Sequence, residues 1–181
     1  MGTPTVLADA RAAAWVLRRV RRTQGRATTV DQVVPDGFAR YAVLPGEAEG
    51  TLTPEELAVL CDALAGHTAT PGDCVLALPT TWPAGAEAAP AGGELFLAGR
   101  SVVLVAAALD DVVSLSYDDR PGRWWAQSPV VLWPQDRAWC VATPPRQRVT
   151  VVGGSVALVE DLVASSGLDA RPAGPGDRLV G

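Results

Sequence analysis

Short apolar runs, most of them bounded by Pro, Gly or Asp, constrain the fold of this chain more than any other feature. Runs of about four to eight apolar or β-branched residues between such breakers are typical of strands, whereas helices need longer stretches. The predicted strands are residues 38–44, 74–78, 94–98, 101–106, 138–143, 148–152 and 168–171. Gly99-Arg100 separates two of these runs and predicts a two-residue hairpin turn.

Helical patterns occupy separate stretches of the chain. In the clearest of them, Thr53 can cap the helix, Pro54 suits its first turn and Glu56 can complete a capping box. Gly66 predicts the end of this helix. The other predicted helical stretches are residues 6–23, a turn at 109–113, and a helix over about 155–165.

These strands and helices do not alternate regularly, which favours an α+β fold. We expect a two-layer sandwich whose sheet is mixed or mainly antiparallel, with helices packed on one face, plus an N-terminal helix. The chain has 181 residues, 48% of them hydrophobic, which suffices for one domain with an arm. The predicted division is an arginine-rich helical arm at residues 1–26 and a single α+β domain at residues 27–181.

Charge is distributed unevenly along the chain. Residues 1–26 carry six arginines and one aspartate, whereas the rest carries nine arginines and nineteen acidic residues, for a net charge of −5 overall. The acidic body argues against nucleic acid as a partner, because phosphate binding needs clustered positive charge. The basic arm could contact an anionic partner or fold back onto the acidic body.

Several kinds of chemistry are excluded or disfavoured by composition. All fifteen basic residues are arginines, so Schiff-base chemistry, a P-loop lysine and a Ser–Lys pair are excluded. Three widely spaced cysteines and the single histidine, His67, lack the spacing of a metal site, so no metal and no cofactor is predicted. His67 follows a predicted helix end, where its ring can bond to free carbonyl groups.

The sequence also indicates a compartment. The three cysteines are interpreted as buried thiols in a reducing environment. We recognise neither a secretory signal nor an apolar segment of membrane-spanning length. A cytoplasmic protein without a membrane partner is therefore expected.

Tryptophan is concentrated between residues 124 and 139. This stretch contains Trp124, Trp125, Trp133, Asp136, Arg137 and Trp139. Because tryptophan offers a large apolar area and one N–H donor, the cluster is interpreted either as a partner-binding surface or as an aromatic core. An arginine held against a tryptophan can present its guanidinium to a carboxylate or phosphate. Alternatively, Asp136 caps a turn and Arg137 is ion-paired.

Gly153, Gly154 and Ser155 follow a predicted strand and precede a predicted helix. Backbone N–H groups at such a helix start can bind an anion, whereas the simpler interpretation is a tight turn with Ser155 as the N-cap. The segment also resembles a nucleophile elbow, but no histidine follows Ser155, which argues against a serine hydrolase.

A family resemblance rests on residues 133–143, Trp-Pro-x-Asp-Arg-Ala-Trp-Cys-Val-Ala-Thr, followed by Val-Gly-Gly-Ser at 152–155 and a helix. This combination resembles a family of actinobacterial proteins of unknown function. Segments at residues 35–41 and 67–74 are similar to its N-terminal half. The resemblance implies an intracellular bacterial origin and no particular activity. The chain departs from the family at residues 144–148, which intervene where acidic residues follow the strand in other members.

Two functions are compatible with these observations. The lack of a recognisable base, lysine and metal set favours a non-enzymatic intracellular module that binds a protein partner through the tryptophan-rich segment. The alternative is a small anionic-ligand-binding protein, or an unrecognised enzyme, that uses the helix start at residues 153–155 with Arg137. The alternative predicts that these groups share one pocket, and the first hypothesis predicts exposed tryptophan rings.

Overall fold

An antiparallel sheet organises the fold. The structure, a computed structural model, describes residues 4–20, 28–46, 51–82, 95–118, 125–145 and 147–179. The strands are β1 (Thr5–Val6), β2 (Arg40–Pro45), β3 (Cys74–Pro79), β4 (Leu95–Leu97), β5 (Arg100–Ala107), β6 (Tyr117–Asp118), β7 (Trp125–Ala126), β8 (Val131–Pro134), β9 (Cys140–Ala142), β10 (Val149–Gly154) and β11 (Arg171–Ala173).

Within the described residues, nine strands form the main sheet in the order β1-β5-β3-β8-β9-β10-β2-β11, and β4 also pairs with β5. Strands β6 and β7 pair with each other apart from this sheet. All pairs are antiparallel. The predicted hairpin is present as β4–β5, but its turn residues are Ala98 and Gly99, one position earlier than predicted. Their φ angles of +46° and +87° suit the tight turn that such a hairpin needs.

Four α-helices accompany the strands in the described residues. They are α1 (Ala14–Arg19), α2 (Pro54–Ala65), α3 (Val112–Ser116) and α4 (Val156–Ala164). The capping box of α2 is confirmed: Glu56 N donates to Thr53 Oγ1 at 3.2 Å, and Thr53 N donates to Glu56 Oε2 at 2.8 Å. Short 3₁₀ helices occupy Ala10–Ala13, Val30–Gln32 and Leu109–Asp111.

The N-terminal helix is shorter than predicted. Val6, the first residue of the predicted helix, pairs with β5 together with Thr5, and the Asp9 side chain accepts a hydrogen bond from Arg11 N at 2.8 Å, which caps the 3₁₀ turn. The helical residues therefore run from Ala10 to Arg19. Residues 21–23 of the prediction, like the boundary at residue 26, lie outside the described residues.

The sheet buries apolar side chains on both faces, because successive residues of each strand point to opposite sides. One face, here called the α2/α4 face, packs against those two helices through residues that include Leu60, Leu64 and Leu158. The other, here called the α1 face, packs against Trp15 and Val16 of α1. The predicted α+β class is thereby confirmed, with the N-terminal helix on the face opposite to α2 and α4.

The Pro-, Gly- and Ala-rich composition of residues 79–93 predicts a flexible loop that includes Trp82, but the structure places Trp82 in the core. Its side chain is buried on the α2/α4 face, and its Nε1 donates to the Leu115 carbonyl at 3.0 Å. Residues 83–93, which form most of that predicted loop, lie outside the described residues.

No helix in the described ranges combines the length and apolar character that a bilayer crossing requires. The cytoplasmic location itself stays a prediction.

Candidate functional site

The tryptophan-rich segment does not form one surface. Trp133 is 2% exposed and belongs to the α1 face, whereas Trp139 is fully buried on the α2/α4 face. Trp124 lies outside the described residues, and Trp125 is described only as backbone of β7. The two rings that can be placed therefore lie on opposite sides of the sheet, inside the core, which counts against their forming a partner surface.

These two tryptophans have different surroundings. Trp139 Nε1 donates to the Leu64 carbonyl of α2 at 3.0 Å. Trp133 packs edge-to-face on Trp15, with ring centroids 6.2 Å apart. Trp15 Nε1 is buried and has no hydrogen-bond partner within the described part of the chain. An unpaired buried donor costs stability, so Trp15 is less completely satisfied than Trp139.

Asp136 ties the turn between β8 and β9 to the loop after α2. Its carboxylate accepts hydrogen bonds from Thr68 Oγ1 at 2.9 Å, Ala69 N at 2.7 Å and Ala138 N at 3.0 Å. Its own N–H donates to Thr70 Oγ1 at 3.2 Å. The interpretation of Asp136 as a turn cap is confirmed, and its threonine partners were not foreseen in the sequence.

These contacts also affect the charge of Asp136. Burial by itself would raise the pKa of this carboxyl, but the hydrogen bonds from Ala138, Ala69 and the two threonines outweigh burial and lower the pKa. Asp136 is therefore engaged as an anion by its own protein, and its role is to hold the turn.

Arg137 follows directly in the same turn, and its environment is different. Its backbone has a φ of +58°, which is uncommon for a residue with a side chain, and its N–H donates to the Pro134 carbonyl at 2.9 Å. Its guanidinium carbon lies 5.5 Å from the centroid of the Trp15 ring, a cation–π distance. The alternative expectation of an ion pair is not met among the described residues, where the Arg137 guanidinium contacts the Trp15 ring.

Residues 153–155 have clear structural roles. Ser155 is the N-cap of α4, since its Oγ accepts a hydrogen bond from Leu158 N at 3.1 Å. Gly153 and Gly154 belong to β10 and are required for packing: a Cβ on Gly153 would lie 2.5 Å from Phe38 Cδ2, and one on Gly154 would lie 2.5 Å from Leu158 Cδ2. The N-cap interpretation is confirmed, and the two glycines lie in a strand, not in a turn.

Arg137 and Ser155 nevertheless line one cleft of about 570 Å³, here called the arginine cleft. Four segments build it. They are Trp15, Arg18 and Arg19 of α1; residues 36–39; Arg137 and Ala138 of the β8–β9 turn; and Gly154 and Ser155 before α4. The helix start and Arg137, which the sequence could name but not place, are thus brought together.

The side chains that line the arginine cleft carry a net charge of +2, from three arginines and Asp36. Arg19 is fixed by Asp36, whose carbonyl accepts from Arg19 Nη1 at 3.5 Å and whose N–H donates to the Arg19 carbonyl at 3.2 Å. Neither Arg18 nor Arg137 forms an ion pair with any described residue. The start of α4 adds partial positive charge, because its first N–H groups have no intrahelical carbonyl.

Sequence reasoning missed the contribution of α1 to this site. In the sequence, Arg18 and Arg19 lie near the C-terminal end of the predicted first helix, where their charge suits the helix dipole, and Trp15 lies on the same helix. The available signal was the concentration of arginine in residues 1–26 beside an acidic body. Arg123 directly precedes Trp124 and Trp125, so the sequence also predicts a tryptophan contact for it, but it lies outside the described residues.

The remaining reactive groups have structural roles. The three cysteines are free and buried. Burial, with smaller effects of nearby acidic residues, raises the pKa of Cys61 and Cys74 to about 12, so both stay protonated and are poor nucleophiles near neutral pH. His67 Nε2 lies 2.7 Å from Asp161 Oδ2 of α4 and not against a helix carbonyl as predicted.

Comparisons of this chain with protein-family models, with curated proteins and with solved structures gave no match. The resemblance to an actinobacterial family therefore stays a prediction.

Proposed function

We propose that this protein binds a small anionic ligand in the arginine cleft. One observation carries the proposal: Arg137 of the β8–β9 turn lines the same cleft as Ser155 at the start of α4 and as two arginines of α1. Convergence of these groups was the condition that the sequence set for an anion-binding function.

The chemistry of the cleft supports an anion in particular. A guanidinium stays charged at any physiological pH and offers a fork of N–H donors that matches carboxylate and phosphate oxygens. Arg18 and Arg137 have no carboxylate partner among the described residues, so a ligand would not have to displace one. The cleft volume of about 570 Å³ suits a small molecule.

The test is ligand-induced thermal stabilisation with a panel of small carboxylates and phosphates at low salt. A ligand at about 100 times its Kd stabilises the folded state by about 2.7 kcal/mol. We expect at least one anion to raise the Tm of the wild type and not that of an R18Q/R137Q variant. Arg171 is exposed on β11 outside the cleft, so R171Q is the matched control and should respond like the wild type. An equal response of all three proteins would refute the proposal.

Binding of a protein partner through the tryptophan-rich segment stays a prediction. The burial of Trp133 and Trp139 removes two of its four rings from the surface of the monomer. For this reason the arginine cleft is the better-supported site.

A further inference from the structure

Resting on the proposed function, we infer that the ligand of the arginine cleft is a phosphate monoester with a small organic body. It is not a singly charged carboxylate or phosphodiester. Three properties of the cleft support a monoester: its charge, the placement of its N–H donors, and the space it offers to the organic group.

Charge comes first. The lining side chains carry +2, and the start of α4 adds further positive potential. A phosphate monoester carries about −1.5 to −2 charges near pH 7, whereas a carboxylate or a phosphodiester carries one. The doubly charged group is therefore the better match to the cleft.

The arrangement of donors points the same way. Two arginines come from one side, on α1, and Arg137 comes from the β8–β9 turn. A carboxylate has two oxygens and is satisfied by a single guanidinium fork, but a phosphate monoester has three terminal oxygens that can be shared among several donors. A phosphate monoester can therefore accept hydrogen bonds from arginines on both segments at once, whereas a carboxylate is satisfied by one of them.

The cleft also has room and apolar surface for an organic group. Its volume of about 570 Å³ exceeds what a bare phosphate needs, and the half-buried Phe38 lines it together with Ala39 and Ala138. Trp15 is only 7% exposed and already packs against Arg137, so its ring face is not free to stack on a nucleobase. A small organic group that packs against Phe38 therefore fits the lining of the cleft.

A polymer of phosphates is a poorer fit than a single monoester. The whole chain has a net charge of −5, so the protein as a whole does not attract a polyanion. Polyanion binding depends on many neutralised phosphates along an extended basic surface.

The deciding experiment is calorimetric titration with three probes of similar size: phenyl phosphate, methyl phenyl phosphate and benzoate. At low salt and about pH 8, the monoester is doubly charged, because its second pKa is about 6. We expect phenyl phosphate to bind about tenfold tighter than either of the other probes. R137Q should lose most of this preference and R171Q should keep it, with circular dichroism confirming that both variants fold.

The outcomes distinguish failure of the phosphate-monoester assignment from failure of anion binding at the arginine cleft. If all three probes bind with equal affinity and R137Q weakens them all, the monoester assignment is wrong and anion binding at the cleft stands. If no probe gives saturable binding to the wild type, or if R137Q and R171Q bind equally well, both the assignment and the proposed function fail.

Discussion

The two faces of the sheet bury tryptophan in contrasting ways. On the α2/α4 face, Trp139 is fully buried and its indole N–H is paired with the carbonyl of Leu64. On the α1 face, Trp15 is 7% exposed, its N–H has no partner among the described residues, and Arg137 lies against its ring. The first tryptophan is enclosed and its N–H is paired, whereas the second lies at the edge of an open, positively charged cleft.

The contrast between paired and unpaired polar groups indicates which part of the molecule is the better candidate for ligand binding. A polar group that the protein satisfies internally contributes to stability, and one that it leaves unpaired costs stability unless a ligand uses it. Asp136 and Arg137 show the same contrast within one turn, since the aspartate has four hydrogen-bonded contacts and the arginine keeps its donors for the cleft. Four tests of the contrast follow, in order of decreasing effect on the free energy of unfolding.

The largest effect is expected from L60A on the α2/α4 face. Leu60 is fully buried between α2 and the sheet, so its truncation leaves a cavity and should lower the free energy of unfolding by about 2–5 kcal/mol. Urea denaturation measures this loss. V163A on α4 removes a side chain that is 42% exposed and should change stability by less than about 0.5 kcal/mol. Similar losses in both variants would mean that this face is not closed.

A matched pair of tryptophan substitutions compares the two faces directly. W139F and W15F remove the same atoms, but only W139F breaks an indole hydrogen bond. We expect W139F to be the more destabilising by about 1–2 kcal/mol, because it removes a buried hydrogen bond to the Leu64 carbonyl, whereas W15F removes an N–H that has no partner among the described residues. Chemical denaturation of both variants gives the difference, and equal losses would contradict the assigned contrast.

A smaller effect is expected from D136N, which tests the hydrogen bonds that join the β8–β9 turn to the loop after α2. The variant keeps the shape of the side chain and removes the charge that Ala69 N, Ala138 N and the threonines stabilise, at a cost of about 1 kcal/mol near neutral pH.

The pH dependence of this cost has a defined sign. The pKa of Asp136 is lower in the folded protein than in the unfolded chain, so the unfolded state binds more protons between the two values. Its stabilisation is present above the unfolded value of about 3.9 and is lost as the pH falls through the folded value. The difference between wild type and D136N should therefore vanish in strong acid. A difference that stays constant over the whole pH range would exclude the carboxylate charge as its cause.

The smallest effect on stability is expected from R137G. Glycine adopts the φ of +58° without the strain that a side chain causes, and this gain offsets the lost cation–π contact with Trp15. The free energy of unfolding should therefore change by no more than about 0.5 kcal/mol. Anion binding, by contrast, should fall sharply. Thermal unfolding with and without phenyl phosphate measures both quantities. A large loss of stability would show that Arg137 is structural and does not serve a ligand.

Local signals made much of the fold predictable. The Thr53 capping box, the Ser155 N-cap and the β4–β5 hairpin are each specified within a few neighbouring residues, and all three are present. The errors have a common origin in longer-range contacts. Val6 belongs to the predicted helix, but its pairing with β5 takes it into the sheet. Trp82 lies beside a Pro- and Gly-rich stretch, but the carbonyl of Leu115 holds its ring in the core.

The candidate site was predictable only in its parts. Arg137 and Ser155 were named, and an arginine held by a tryptophan was foreseen. The tryptophan that holds it is Trp15, from the far end of the chain, and not a neighbour such as Trp133. No local pattern indicates that α1 would pack on the face opposite to α2 and α4, because that choice depends on which strands become neighbours.

The sequence by itself determined the α+β class, the caps of α2 and α4, the buried thiols and the uneven charge, because propensity, capping and burial act through neighbouring residues. The tertiary structure alone decided that Trp133 and Trp139 lie on opposite faces, and that Arg18, Arg19 and Arg137 share one cleft with Ser155. The physical reason is that strand order and the face taken by α1 are set by the packing of the whole core, and a cleft between distant segments exists only once that packing is complete.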